Sequence, residues 1–460
     1  MAFVLRRSVA IVTFVACGHA WAEAPVVGGR TPRAIGRAGV GTVSDDGGGA
    51  LLANPAAIAR RDSTRMQLAL AFVDDEMYWL HSQSSPAARD QSSSRLVPLV
   101  ALEGSIGGWV IGIGAMTSAR SERLLRRPGA IPPSEYGNTF EYRYAGLSGS
   151  FRRDTLTAGA AHRITDTVAL GIALATSRVT ITESRRLWAG DVDRVVFGVR
   201  RPDRAGDPAH DVEVAMAGED NFAPSVVAGV LVAPQDSRIE LGLSASWSAP
   251  ARVKGDIATT GAAPNVGTAD GDASVRLEVE QPITVRTGVR WLGDRVIAEV
   301  GGDLHWFPRR AEEAVWRVAG VTITDTTSPS APQSVELTNV TSRLSSRTHG
   351  ALRAAVDVEL IAGFLWATGG YALATAGTGR ARLSPTFGDL GGHTMALGIE
   401  TTTGGFTVTL GWARTWSIKE PEPFSRWQLD NPFGSGDMAV PSGTYDGSTD
   451  LIGISVDADL

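Results

Sequence analysis

Apolar and polar residues alternate one for one through most of this chain. In "IELGLSASWS" the apolar set is Ile239, Leu241, Leu243, Ala245 and Trp247, and Glu240, Gly242, Ser244, Ser246 and Ser248 fall between them. "FTVTLGWARTW" sets Phe406, Val408, Leu410, Trp412 and Trp416 against Thr407, Thr409, Gly411, Ala413 and Thr415. "IGISVDADL" divides Ile452, Ile454, Val456, Ala458 and Leu460 from Gly453, Ser455, Asp457 and Asp459. Side chains point alternately to the two faces of a strand, so each segment predicts a strand with one apolar face and one polar or small face. The pattern predicts strands near 64–73, 95–103, 108–117, 144–163, 167–185, 222–233, 238–252, 275–291, 295–307, 346–359, 361–374, 391–402, 404–417 and 449–460. That is about fourteen, an even number.

A soluble β-sandwich would alternate in the same way, and three further features favour a transmembrane barrel. The apolar face often ends in an aromatic, as at Trp247, Trp291, Trp306 and Trp416, which suits the girdles at a membrane's two interfaces. The other face carries Arg286, Arg290, Glu299, Asp303, His305, Arg353, Asp357 and Glu400. A sandwich core could bury these only at high cost, whereas a barrel lumen accepts them. Finally, tight turns (Thr165-Asp166, Gln235-Asp236, Gly293-Asp294) alternate with long polar connections near 74–94, 118–143, 186–221, 253–274, 308–345, 375–390 and 418–448. Short turns at one rim and long loops at the other describe an outer-membrane barrel with its short ends and both termini periplasmic. The expected fold class is therefore all-β: an antiparallel transmembrane β-barrel of about fourteen strands.

The first residues agree with that compartment. Arg6 and Arg7 precede the apolar run "SVAIVTFVA" and the small-residue site "AWAEA", which reads as a secretory signal over residues 1–22, cut after Ala22. The weaker alternatives are a buried N-terminal helix and lipoprotein processing at Cys17, the only cysteine. Without disulfides, an exported chain of this size needs another source of rigidity. The formal charge is −6, and it becomes −8 when the signal takes away two arginines and no acids, which argues against a nucleic-acid partner. Only Lys254 and Lys419 are lysines, a bias that genomic base composition explains.

Residues 23–62 precede the first strand and contain "GRAGVGTVSDDGGGALLANPAAIARR". Asn54 is placed to cap a short helix with Pro55 at its first position, and Arg60 and Arg61 fall near that helix's negative end. Gly47-Gly48-Gly49 permits a tight turn in a crowded lumen. The stretch resembles the hatch of the long-chain fatty-acid outer-membrane transporter (FadL-type) family, through Gly36-Arg37-Ala38-Gly39, Asp45-Asp46, and Asn54-Pro55-Ala56 followed by Ile58. Hairpins such as "DTLTAGAAHRITDTVALGIAL" and "QPITVRTGVRWLGDRVIAEVGGDLHW" fall where that family has comparable ones. The resemblance implies a signal (1–22), a plug (23–62) and a barrel (63–460). It also implies a monomer that carries hydrophobic small molecules, long-chain fatty acids first and hydrocarbons next, with capture by loops, a lumen pocket and hatch-gated passage. A plug that never moves is the plainer alternative. In that family sideways exit goes with a distorted third strand, and Gly107, Gly108, Gly112 and Gly114 are the expected kink. A general diffusion porin and a surface-binding, adhesin-like barrel are the other functions weighed.

Enzymatic readings find little support. "GVGTVS" lacks the third glycine and the preceding strand of a dinucleotide loop. The seven histidines are scattered, without metal-ligand spacing, and Asp45-Asp46 lacks a calcium-loop pattern, so no metal or cofactor is expected. A rim lipid hydrolase would need a Ser–His pair, and neither His162 nor His305 has an evident serine. In "ARSERLLRRPGAIPPSEY", Arg120, Arg123, Arg126 and Arg127 could dock lipopolysaccharide phosphates or simply be solvated.

Overall fold

A computed structural model describes residues 31–45, 47–61, 63–80, 88–125, 141–191, 195–196, 199–200, 207–261, 265–326, 333–421, 430–434 and 443–460. The expected signal segment, Asp46, Arg126 and Arg127 lie outside these. Fourteen strands form the wall: β1 (Arg65–Leu80), β2 (Arg95–Ile106), β3 (Trp109–Leu124), β4 (Ser148–Arg163), β5 (Val168–Trp188), β6 (Asp211–Val232), β7 (Ile239–Ser248), β8 (Ile283–Leu292), β9 (Val296–Trp306), β10 (His349–Ile361), β11 (Leu365–Ala374), β12 (Gly392–Thr403), β13 (Phe406–Ser417) and β14 (Thr444–Asp459). Each pairs antiparallel with the next. The sheet closes where β14 pairs with β1, from Arg65↔Asp459 to Leu80↔Thr444. Closure leaves no free edge, as a strand wall in hydrocarbon requires.

The two faces separate as the alternation predicts. Leu243 is 52% exposed and its neighbour Ser244 only 2%. Leu410, Ile454, Leu156 and Leu174 likewise stand outward, and the outward band is continuous around the barrel. Trp109, Trp291, Phe364 and Phe406 stand outward close to the short turns, and Phe222, Trp247, Trp306 and Trp416 toward the other rim. An apolar outer surface on this scale, bordered by aromatic rings, is stable only in a bilayer. The hairpin at Gly107-Gly108 shows why the turns can be so short. Both residues have positive φ (59° and 83°), the two-residue geometry that matches the twist of flanking strands.

Sequence reading went wrong above the long rim. Segments 253–274 and 308–345, expected as polar connections, are largely strand: Ala251–Gly261 and Asn265–Val279 run through the first and Val315–Asp325 through the second. The expected strands 238–252 and 275–291 each break in two, with the wall keeping only Ile239–Ser248 and Ile283–Leu292. The three added strands extend the upper part of β6 into a sheet that rises beyond the long-loop rim. Val253, Ile257, Val275, Leu277, Trp316, Val318 and Ile323 are buried there in one core with Val179, Ile181 and Val212. Their alternation is present in the sequence but is interrupted by Gly, Asp and Thr, which made these stretches look like loops.

Candidate functional site

Residues 31–45 and 47–61 lie inside the barrel and are almost entirely buried. Helix α1 (Pro32–Gly36) is capped by Thr31, whose hydroxyl accepts the Ala34 N–H. Helix α2 (Ala50–Ala53) leads to Asn54, which caps the 3-10 turn Pro55–Arg60 by accepting the Ala56 N–H. The Asn54 amide also donates to Thr42 O (2.9 Å) and to Val230 O on β6 (3.2 Å), so one side chain ties cap, segment and wall together. Asp45 accepts from Gly47 N and from the Thr31 hydroxyl, both at 3.4 Å. Ala38 and Gly39 turn the chain after α1 with φ of 53° and 85°. Arg60 lies in the last turn of the 3-10 helix, with Arg61 at its C-cap. The Arg60 guanidinium forks onto Glu240 of β7 at 2.7 and 2.8 Å.

The lumen-facing candidates hold this segment from several sides. Glu299 on β9 accepts Arg37 Nη2 (2.9 Å) and the Val43 N–H (3.0 Å), and Asp357 on β10 lies 3.4 Å from the same guanidinium. Arg290 joins Glu240 at 3.3 Å. Glu400 on β12 lies 3.4 Å from Arg33. Arg353 bridges Asp303 (3.0 Å) and the Ala38 carbonyl (2.9 Å), and Arg286 donates to Leu52 O (3.3 Å). Basic groups of the segment thus meet acids of the wall on β7, β9, β10 and β12.

Sequence reasoning missed the glycines that receive the segment. A Cβ on Gly229 would stand 1.9 Å from the Asn54 side-chain oxygen, and one on Gly171 would stand 2.3 Å from Ala56 N. One on Gly370 would meet the Arg37 carbonyl carbon at 2.4 Å, and on the segment's own side a Cβ on Gly36, already singled out by the sequence, would meet Gly398 Cα at 2.8 Å. Gly229→Ala should therefore displace the Asn54-Pro55-Ala56 turn and cost that segment about 1–3 kcal/mol. Amide exchange over residues 50–60 reads this, with Gly369→Ala as the control, because nothing lies within 4 Å of a Cβ there.

The expected glycine kink is not in the third strand. Gly107 and Gly108 form the turn, and Gly112 and Gly114 are paired regularly on both sides, with Glu103 and Ala101 of β2 and with Gly159 and Thr157 of β4. Their bareness makes room for Leu51, whose methyls lie 3.1 and 3.5 Å from the two built Cβ positions. The irregularity comes later, at Ser118, between the pairs Thr117↔Asp154 and Ala119↔Arg153. The β2–β3 ladder also ends there, at Leu99↔Met116, and above it Arg120 Nη1 donates to Leu96 O (3.0 Å). Arg120 and Arg123 belong to β3 rather than to a loop. Arg123 is buried on Asp75 (3.0 and 3.1 Å) and cannot reach lipid.

Above the segment lies a cavity of about 310 Å³, within the range of small-molecule sites. Its floor includes Val40, Thr42 and Leu52, and Phe151, Val227, Val279, Leu344 and Phe387 make it apolar on one side. The other side is polar. His305 bonds Asp303 (3.2 Å) and Thr284 (3.0 Å) and stacks on His349 with ring centres 4.7 Å apart, and Phe307 stacks on His349 at 5.7 Å. Arg153 on β4 also lines the cavity. Its guanidinium bonds Ser177 (2.9 Å), Gln281 (3.1 Å) and Ser248 (3.4 Å), all neutral, and no carboxylate pairs with it among the described residues. Alternation in "SFRRDT" already points Phe151, Arg153 and Thr155 inward, so this arginine was legible in the sequence.

A buried ionic cluster lies at the long-loop end of the barrel. Glu183 accepts from Arg185 (3.2 Å), Trp316 Nε1 (3.0 Å), the Ser342 hydroxyl (2.7 Å) and the Arg343 N–H (2.9 Å). Burial, with the Arg185 guanidinium beside it, pulls Arg343 down to about 9, which leaves it charged at neutral pH.

Among solved structures, the chain is similar over nearly its whole length to a Pseudomonas aeruginosa FadL homologue (15% identity, TM-score 0.68, 96% of this chain and 100% of that one). It is also similar to the Ralstonia pickettii toluene transporter TbuX (12% identity, TM-score 0.62, 93% and 98%). A third likeness is to the Pseudomonas putida toluene transporter TodX (11% identity, TM-score 0.61, 96% and 98%). No family model and no curated protein matches the sequence. At these identities the likeness establishes the fold.

Proposed function

We propose that the protein is an outer-membrane channel for hydrophobic molecules bearing an acid group, with long-chain fatty acids as the leading class. The observation that carries this reading is Arg153, a cation on the wall of an otherwise amphipathic cavity that is held only by neutral acceptors. Arg153 is only half-buried, so its lack of a counter-ion costs less than full burial would, and a carboxylate entering the cavity would supply the missing partner by a charge-assisted bond. The apolar side would take the chain, at roughly 0.8 kcal/mol per buried methylene. Residues 31–61 act as the plug, which distinguishes the protein from an open diffusion porin. Release would run sideways past the end of the β2–β3 ladder. Enzymatic chemistry has no place in this reading.

Arg153→Gln tests it directly. In proteoliposomes the variant should bind labelled palmitate about 10- to 100-fold more weakly, the worth of one charged hydrogen bond, and bind toluene as wild type does. Equal palmitate binding by both proteins would refute the role of Arg153. An aromatic hydrocarbon is the second reading, and the three-ring stack of Phe307, His349 and His305 on the cavity wall favours it. Tight toluene binding without palmitate binding would decide for it.

A further inference from the structure

One row of the sheet carries an unusual charge on its outer face. Followed through the register, Arg120 of β3 lies opposite Arg152 of β4, Arg152 opposite Thr180 of β5, and Thr180 opposite Glu219 of β6. The row continues onto the sheet beyond the long-loop rim, where Glu219 lies opposite Lys254, Lys254 opposite Arg276, and Arg276 opposite Arg317. Seven positions hold five cations and one acid. At about 4.8 Å per strand the row is roughly 29 Å long.

Directly opposed residues share a face, and this face is the outer one, because Val253, Val275, Leu277, Trp316 and Val318 between them are buried. Lys254, Arg276 and Arg317 are exposed. None of the three makes an ion pair or side-chain hydrogen bond among the described residues. Like charges placed directly opposite destabilise a sheet, and here three follow one another in a chain of net charge −6. Arg120 and Arg152 already pair with Glu122 (3.9 Å) and Asp154 (2.8 Å), and Asp256 and Glu278 flank the row on neighbouring rungs, but no acid stands within it between Lys254 and Arg317.

The height of the row points to its partner. Phe222, 68% exposed on the lipid-facing band, is three residues from Glu219 on the same strand, so the row runs just above the apolar belt. A barrel seated by that belt holds these cations at the depth of the surrounding head groups. We propose that the row binds phosphate groups of the lipids around the extracellular rim, the guanidinium forks taking phosphate oxygens pairwise and Lys254 acting as a point charge. Lipid phosphate would relieve the repulsion that the sheet leaves uncompensated. This surface is independent of the cargo.

The test uses the full-length protein in a neutral detergent, titrated with diphosphoryl lipid A or with the same lipid stripped of both phosphates. Wild type should prefer the phosphorylated lipid, and Lys254→Gln/Arg276→Gln/Arg317→Gln should bind it about 100-fold more weakly at low salt, as three cations at an anionic surface imply. The preference should also fade as salt rises. Arg238→Gln, an exposed arginine paired with Asp294 near a short turn, should change nothing. Equal binding of the two lipids, or wild-type binding by the triple variant, would overturn the proposal. Full displacement by millimolar inorganic phosphate would overturn the lipid assignment and leave a site for free anions.

Discussion

Arg37→Met should loosen the N-terminal segment by about 3–5 kcal/mol, the usual cost of removing one partner from a buried ion pair. Arg37 is 1% exposed and serves Ser44, Glu299 and Asp357 together. Methionine fills a comparable volume but leaves both carboxylates in place without their cation. The wall's backbone ladders do not pass through this residue, so the barrel should keep its closure while the segment opens locally. Amide exchange over residues 31–45 should speed up by about 10²–10⁴, and the channel should pass more ion current. Adding Glu299→Gln should recover part of the loss, because one of the stranded charges is then gone. Unchanged exchange in Arg37→Met would mean that the ion pairs do not hold the segment.

Leu243→Arg should destabilise the barrel by about 2–4 kcal/mol in a bilayer, and Leu410→Arg by a similar amount, because both residues face lipid far from either rim. Denaturant unfolding from vesicles measures this. A polar lumen position should tolerate arginine better. Ser244 is not such a position, although alternation places it inward, because it is 2% exposed and its hydroxyl donates to Ala53 O at 2.5 Å. Ser246 lines the cavity instead, and Ser246→Arg should cost less than either lipid-facing change. Equal losses at Leu243 and Ser246 would mean that the faces are misassigned.

The wall was legible in the sequence because one face must be apolar at every second residue, and that period survives any detail of packing. Leu241, Leu243 and Trp247 could be placed from the pattern alone. So could the inward charges, since Glu299, Arg353 and Asp303 alternate with lipid-facing residues. Asn54 and Pro55 were readable as a cap because capping is local. What could not be read depends on contacts distant in sequence. Gly171 and Gly229 are bare because Ala56 and Asn54 lie against them, and nothing near either glycine announces it. Gly112 and Gly114 read as a kink in the sequence because glycine permits both bends and close approach, and only the contact with Leu51 shows which one applies. The sheet beyond the long-loop rim is not legible in the sequence because its core forms between segments whose own alternation is broken. Arg153 was overlooked although its face was predictable, because an unpaired inward charge becomes conspicuous only once its neighbours are known.

The most direct test of the transport reading is uptake of radiolabelled long-chain fatty acid by cells lacking their own transporter and expressing this protein. Uptake should stand well above the empty-vector level and be reduced in Arg153→Gln at equal surface abundance. Correctly inserted wild-type protein that gives no uptake would contradict it.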